Sequence, residues 1–306
     1  MARSASETQR LANADYYASK GKEIYSDFST FAQGKALATC NAIEFARDFA
    51  DNDQPIVCEY GIGNGNFAKV FLDDLKHRSP NLYGKTRYFL FDFSEKMLSD
   101  AKVNLAAHKS ICSFSKFDAS FETPAQEFDY CRINELLSDL PAELYMRKTG
   151  RILSLDGTRT TTDLFVFKFL ERIDEGRGIP FNFAAEKFLL GLCRLGRQNF
   201  RIDLFDYGFY SADGIFIHPV EEWNSLMVRE YGSESTVDLN FPQMLASLAA
   251  QGVSAQVEMQ KEYAERVLGT KLELSETEDG LDYVKAKRPG TGISEDDGFY
   301  HLRLGR

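Results

Sequence analysis

Residues 55–65 read PIVCEYGIGNG. The apolar run Ile56, Val57, Cys58 leads into Glu59, and glycines then stand at alternate positions, Gly61, Gly63 and Gly65. This is the pattern of a buried strand ending in a tight turn. Glycine supplies the positive φ of such a turn and, having no Cβ, lets the backbone approach a ligand closely. In residues 67–76, FAKVFLDDLK, Phe67, Phe71 and Leu75, with Val70 beside them, fall on one face of a helix. Strand, glycine turn and helix make a nucleotide-type cradle; the plainer alternative is a tight turn that holds no ligand.

The spacing narrows the choice of nucleotide. A dinucleotide cradle asks for GxGxxG, with its third glycine against the strand and a pyrophosphate at the helix N-terminus. Here that third position is Asn66. The run E-Y-G-I-G-N-G, an acidic residue before GxGxG, instead resembles the turn of S-adenosylmethionine-dependent methyltransferases. That resemblance implies Glu59, Gly61, Gly63 and Gly65 as cofactor-binding residues. It also implies S-adenosyl-L-methionine as the cofactor, which carries a charged amino acid moiety, a sulfonium and a ribose in place of a pyrophosphate.

Composition bounds the remaining options. The chain has 306 residues and a formal net charge of −10, which argues against a general affinity for nucleic acid or anionic lipid. No stretch approaches the length of a membrane span, and the start MARSASETQR lacks the apolar core of a secretory signal, so a cytoplasmic location is expected. The five cysteines, Cys40, Cys58, Cys112, Cys131 and Cys193, include no CxxC pair, and the four histidines show no ligand spacing, so no metal is expected.

Downstream of the turn, strand and helix patterns alternate, the mark of an α/β sandwich with a mostly parallel sheet. Residues 87–93, RYFLFDF, read as a second strand ending at Asp92, where a carboxylate can accept from both hydroxyls of a ribose. Ser94 is a plausible N-cap for a helix over 95–108. A third strand over 111–117 ends at Asp118, an acceptor for an adenine amine or an ordinary turn residue. A fourth, FDYCRI over 128–133, runs into Asn134-Glu135 and stops by Pro141, the outline of a shaped active-site loop or of a capped helix with a solvated Glu. A fifth, FRIDLF over 200–205, precedes Asp206-Tyr207-Gly208, and segments near 253–259 and 299–304 could close the sheet with an antiparallel pair. The expected organisation is an N-terminal helical or lid segment over 1–50, a methyltransferase core over 51–149 and 200–306, and an inserted, mainly helical substrate subdomain over 150–199. The tyrosine-bearing stretch 14–30 reads as a loop over the cofactor or as a surface connection.

Taken in order, four blocks resemble the MidA-like family of methyltransferases, relatives of the mitochondrial complex I assembly arginine methyltransferase. They are the Glu59 to Gly65 turn, Asn134-Glu135 through Leu140-Pro141, Asp206-Tyr207-Gly208, and Val237-Asp238-Leu239-Asn240-Phe241, which opens a late helix. Weaker echoes lie at Tyr16-Tyr17, Asp27-Phe28-Ser29-Thr30 and Gln260. The chain departs from the family at Ser138-Asp139, where the carboxylate is shifted by one position, and at Ser26 before Asp27. The resemblance implies a class I, Rossmann-like fold with a seven-stranded sheet and helices on both faces. It also implies methyl transfer to a protein arginine side chain, with a protein substrate as partner.

The chemistry can be stated from the residues. Methyl transfer from a sulfonium is an in-line displacement whose rate comes largely from holding donor and nucleophile together. A guanidinium is a poor nucleophile, and a carboxylate pairing two of its nitrogens would orient its plane and draw charge from the attacking nitrogen. Glu135 is the first candidate for that role, with Asn134 beside it. Asp139 or Glu143 could supply a second carboxylate, and Asp206 could close the site or accept the released proton. The alternatives are a small-molecule N- or O-methyltransferase and an inactive cofactor-binding protein acting in assembly.

Overall fold

The strands form where apolar residues alternate, and their two faces recruit different helices. In the computed structural model, which describes residues 5–20, 35–154, 160–161, 163–211, 218–231, 234–277, 280–287 and 298–305, the run at 56–60 is β1 (Ile56–Tyr60). Val57 points to one side of the sheet, where it packs with α2 (Lys35–Asp48), α3 (Asn66–Arg78) and α5 (Glu95–Asn104). Cys58 and Tyr60 point to the other, as the two-residue period of a strand requires.

Parallel neighbours flank β1. On one side lie β2 (Arg87–Asp92) and β3 (Cys112–Lys116), and on the other β4 (Phe128–Asn134). A short α4 (Pro80–Lys85), following α1 (Ala5–Lys20), α2 and α3 in chain order, connects α3 to β2. Beyond β4 come three further strands after an insertion. That insertion is a three-stranded antiparallel sheet of β5 (Glu143–Lys148), β6 (Arg151–Ser154) and β7 (Ile179–Phe181), with α6 (Leu164–Leu170) packed against it.

The span 150–199 holds two parts. Its first part joins β5 in the small antiparallel sheet, whereas α7 (Phe183–Leu195) returns to the main core. The cause is legible in α7: Ala185, Phe188, Leu189, Leu192 and Cys193 recur at helical spacing and are all buried against the large sheet.

β8 (Gly196–Phe209) pairs parallel with β4 and antiparallel with β15 (Phe299–Gly305). A hairpin of β9 (Val228–Tyr231) and β10 (Glu234–Val237) follows β8, then β11 (Leu239–Asn240), which pairs with its end, and β12 (Ser254–Met259), which closes the sheet on β15. The sheet runs β12-β15-β8-β4-β1-β2-β3, mostly parallel with an antiparallel edge, as the sequence led one to expect. A separate hairpin, β13 (Leu272–Thr277) and β14 (Gly280–Lys285), packs with α2 and the helix Gln260–Leu268. Among the described residues, no helix is long and apolar enough to cross a membrane.

Candidate active site

The carboxyl ends of β1, β2, β4 and β8 converge, and open α/β sheets bind ligands beyond such ends. At β1 the three glycines all have positive φ, 70° at Gly61, 52° at Gly63 and 78° at Gly65. At two of them the missing Cβ makes room for the protein itself. A Cβ on Gly61 would lie 3.1 Å from Leu136, and one on Gly65 would lie 3.1 Å from Ala101 and from Leu105. The Gly61 vacancy thus seats the loop that follows β4 against the turn.

Asp92 organises the same turn from β2. One carboxylate oxygen accepts from Gly63 N–H at 2.9 Å and the other from Ser94 N–H at 2.9 Å. Burial pushes the Asp92 carboxyl up to about 6, a rise that those amides oppose. Ser94 caps α5 by accepting from Met97 N–H, as its position before that helix predicts. Asp118 lies after β3, half-buried, with one oxygen accepting from Ser120 N–H at 2.9 Å in a local turn.

Glu59 lies at the end of β1, just before the turn. It is 2% exposed, bonded to the Tyr88 hydroxyl and to Arg132 Nη1 at 2.6 Å, and faces the core beneath the turn. Arg132 is fully buried, stacked between Phe67 and Phe71, and its Nε donates to Asn41 at 3.1 Å. The pair ties β1, β2, β4 and α2 together, so the structure gives this carboxylate a fixed structural partner. A two-residue strand period does place Glu59 on the helix-covered face, but its partner, 73 positions away, carries no local signal.

At the end of β4, Asn134 Oδ1 is buried with no hydrogen-bond partner among the described residues. Glu135 follows with φ of 46°, a left-handed conformation uncommon outside glycine, asparagine and aspartate. Its backbone is held there because Glu135 N–H donates to Phe205 O at 2.8 Å. Asp206 fixes the continuation: one oxygen accepts from Leu137 N–H at 2.9 Å and Ser138 N–H at 3.2 Å, the other from Tyr207 N–H at 2.9 Å. Asp206 is fully buried, and burial lifts its carboxyl to about 6. Its carboxylate thus holds the backbone of the 137–139 turn and of Tyr207.

Gly208 explains why two of the sequence blocks meet. A Cβ there would lie 2.1 Å from Leu239 O, so only glycine lets β11 pair with the end of β8 and bring Asp238 beside Tyr207. Asn240 then caps the helix Phe241–Ala250, accepting from Gln243 N–H at 3.0 Å.

Helix α1 straps this edge of the sheet. Asn13 Nδ2 donates to Asp139 O at 3.2 Å and to Ser235 O at 2.9 Å, and Gln9 Nε2 donates to Ser235 O at 3.1 Å. The Tyr17 hydroxyl donates to Asp139 Oδ2 at 2.9 Å, while Ser94 Oγ donates to Tyr17 O at 3.2 Å. The Tyr16-Tyr17 echo is thus part of the site's cover, whereas Asp27-Phe28-Ser29-Thr30 lies outside the described residues. Gln9 and Asn13 gave no sequence signal, since polar residues on a surface-type helix look alike until their partners are known. A cavity of about 560 Å³ lies at the opposite edge of the sheet, between Asp48, Asp129, Arg201 and Arg303, remote from all these residues. Among the described residues no cluster of three or more His, Cys, Asp or Glu could hold a metal.

Residues 40–175 match a family model described as "Putative S-adenosyl-L-methionine-dependent methyltransferase". No curated protein matches the chain. Two solved structures from Burkholderia thailandensis share the fold. One, an uncharacterized superfamily protein, is 13% identical with a TM-score of 0.64, over 100% of this chain and 95% of that one. The other, a member of the same superfamily bound to S-adenosyl-homocysteine, is 14% identical with a TM-score of 0.64, over 90% of this chain and 78% of that one. A plantazolicin methyltransferase in complex with the same compound is 12% identical with a TM-score of 0.51, over 98% of this chain and 95% of that one.

Proposed function

We propose that this chain is an S-adenosylmethionine-dependent methyltransferase akin to the MidA-like family, a reading supported by the family model over residues 40–175, and that it acts on a protein arginine side chain. The residues present suit the cofactor. Asp92 keeps carboxylate lone pairs beyond the two that its backbone amides use, enough to accept from ribose hydroxyls. Asn134 Oδ1 is a buried acceptor without a donor among the described residues, a costly state that an ammonium at the methionine end would relieve. Ser94 orders the turn after Asp92, and Asp118 offers an acceptor at the end of β3. When bound, the cofactor supplies an electrophilic methyl on a sulfonium.

The observation that carries the arginine reading is Glu135. A left-handed backbone at a non-glycine residue costs about 1–3 kcal/mol and persists where the surroundings enforce it. The Glu135 N–H bond to Phe205 O, with Asp206 holding the next amides, supports a backbone set in this form beside Asn134 at the end of β4. A carboxylate there can engage two guanidinium nitrogens at once and leave the third to attack. A small-molecule acceptor is the second reading, favoured by the way α1 ties the 137–139 turn to β10 and so closes the site.

The test uses methyl-labelled cofactor and a lysate of the source organism. Label on arginine, reduced about 100-fold in rate by Glu135→Gln with cofactor affinity retained, is the expected result. Label confined to small metabolites would establish the second reading instead.

A further inference from the structure

Beyond the Asn134-Glu135 loop, the end of β8 carries a guanidinium held in a built seat. Arg229, on the β9–β10 hairpin, lies with its Cζ 4.4 Å over the Tyr207 ring and its Nη2 3.4 Å from Asp238 Oδ1. Face-on stacking together with carboxylate pairing is how a planar cation is recognised; a compact ammonium uses it less well. The seat is more buried than its guest: Tyr207 is 4% exposed and the Asp238 side chain 11%, against 24% for the Arg229 side chain.

Its place in the fold is on the acceptor side. Glu135 N–H bonds Phe205 O, two residues before Tyr207 on β8. β10 packs on the 137–139 turn, and Asn13 bridges that turn to Ser235. Asp139 lies within electrostatic reach of the Tyr207 hydroxyl, adding a second carboxylate to the neighbourhood. The cofactor residues of β1 and β2 lie on the other half of the same edge.

We infer that the Tyr207 ring and the Asp238 carboxylate are the seat for an acceptor's guanidinium, and that Arg229 occupies this seat until an acceptor replaces it. This rests on the arginine reading above. The exchange conserves charge: one guanidinium leaves the Asp238 carboxylate as another enters, whereas a neutral acceptor would bring no charge to it. The seat therefore selects for a cation of the same shape, and the resident Arg229 lowers apparent acceptor affinity by the fraction of time the seat is filled.

The experiment measures methyl transfer to an arginine-containing peptide by the full chain and its Arg229→Ala and Arg229→Gln variants, with cofactor affinity followed by calorimetry. Emptying the seat is expected to lower the peptide KM about tenfold, and Asp238→Asn to raise it, with cofactor affinity changed in neither. Methyl label on Arg229 itself in the wild type would also support the seat. An unchanged or raised KM in both Arg229 variants, with cofactor still bound, overturns the inference. If no arginine peptide is methylated by any form, the arginine reading fails, and the seat is judged on binding alone. Binding of N-acetyl-arginine amide to Arg229→Ala, absent in Arg229→Ala/Asp238→Asn and not matched by N-acetyl-lysine amide, sustains it. No such binding overturns it.

Discussion

The two halves of the sheet's carboxyl edge are built on one device and differ in what it leaves open. On the β1–β2 half, Asp92 catches the amides of Gly63 and Ser94 and keeps 7% exposure. On the β4–β8 half, Asp206 catches the amides of Leu137, Ser138 and Tyr207 and is fully sealed. Burial raises both carboxyls to about 6. The first aspartate shapes the glycine turn, and the second shapes the turn that follows Asn134 and Glu135.

The largest effect that would break this contrast is expected from Gly208→Ala. Its Cβ would meet Leu239 O at 2.1 Å, separating β11 from β8 and taking Asp238 from Tyr207. A loss of about 3 kcal/mol or more follows, read by denaturant unfolding. A Gly61→Ala change presses only on the Leu136 side chain at 3.1 Å, with a φ of 70°, and should cost less, about 1–2 kcal/mol.

Substituting each aspartate sharpens the comparison further. Asp206→Ala strands three buried amides and should cost about 2–3 kcal/mol in unfolding, lowering kcat while leaving cofactor affinity nearly intact. Asp92→Asn should cost less stability and weaken cofactor binding by one to two orders of magnitude, roughly the value of hydrogen bonds to a charged group. Equal cofactor losses in the two variants would erase the distinction between them.

The shared rise to about 6 gives two pH dependences of opposite sense. Ribose hydroxyls donate to an ionised carboxylate, so cofactor affinity should fall as pH drops below about 6, and this fall should vanish in Asp92→Asn. For stability the sign reverses. A carboxyl with a raised folded value contributes stability that is fully present below its unfolded value, near 3.9, and is lost as pH rises through about 6. Asp206→Asn should therefore remove a decline in stability, of order 1–2 kcal/mol, between roughly pH 4 and 6.

The smallest effect is expected from Tyr17→Phe, which removes the hydroxyl that α1 donates to Asp139. A loss of about 1 kcal/mol should appear as faster amide exchange in α1, with the sheet unaffected.

How much was legible follows the same division. The apolar run into Glu59, the alternate glycines, the strand end at Asp92 and the cap Ser94 are local patterns, set by strand and helix periods and by immediate neighbours, and sequence alone placed them. The insertion was harder, because the apolar stripe of α7 matches any helix with a face to bury, and only the large sheet decided which surface it covers.

What the tertiary structure alone decided are the pairings between residues far apart in sequence. Leu137 and Asp206 are 69 positions apart, Glu59 and Arg132 are 73 apart, and Asn13 and Asp139 are 126 apart. A carboxylate at a strand end looks the same in sequence whether it meets solvent, an amide or a guanidinium. Its role is set by which donors the closed chain brings within about 3 Å, because a buried polar group must find its partner wherever the fold supplies one. The sequence thus determined the sheet and the glycine turn, while only the closed chain decided how α1, the β9–β10 hairpin and the loop after β4 pack together.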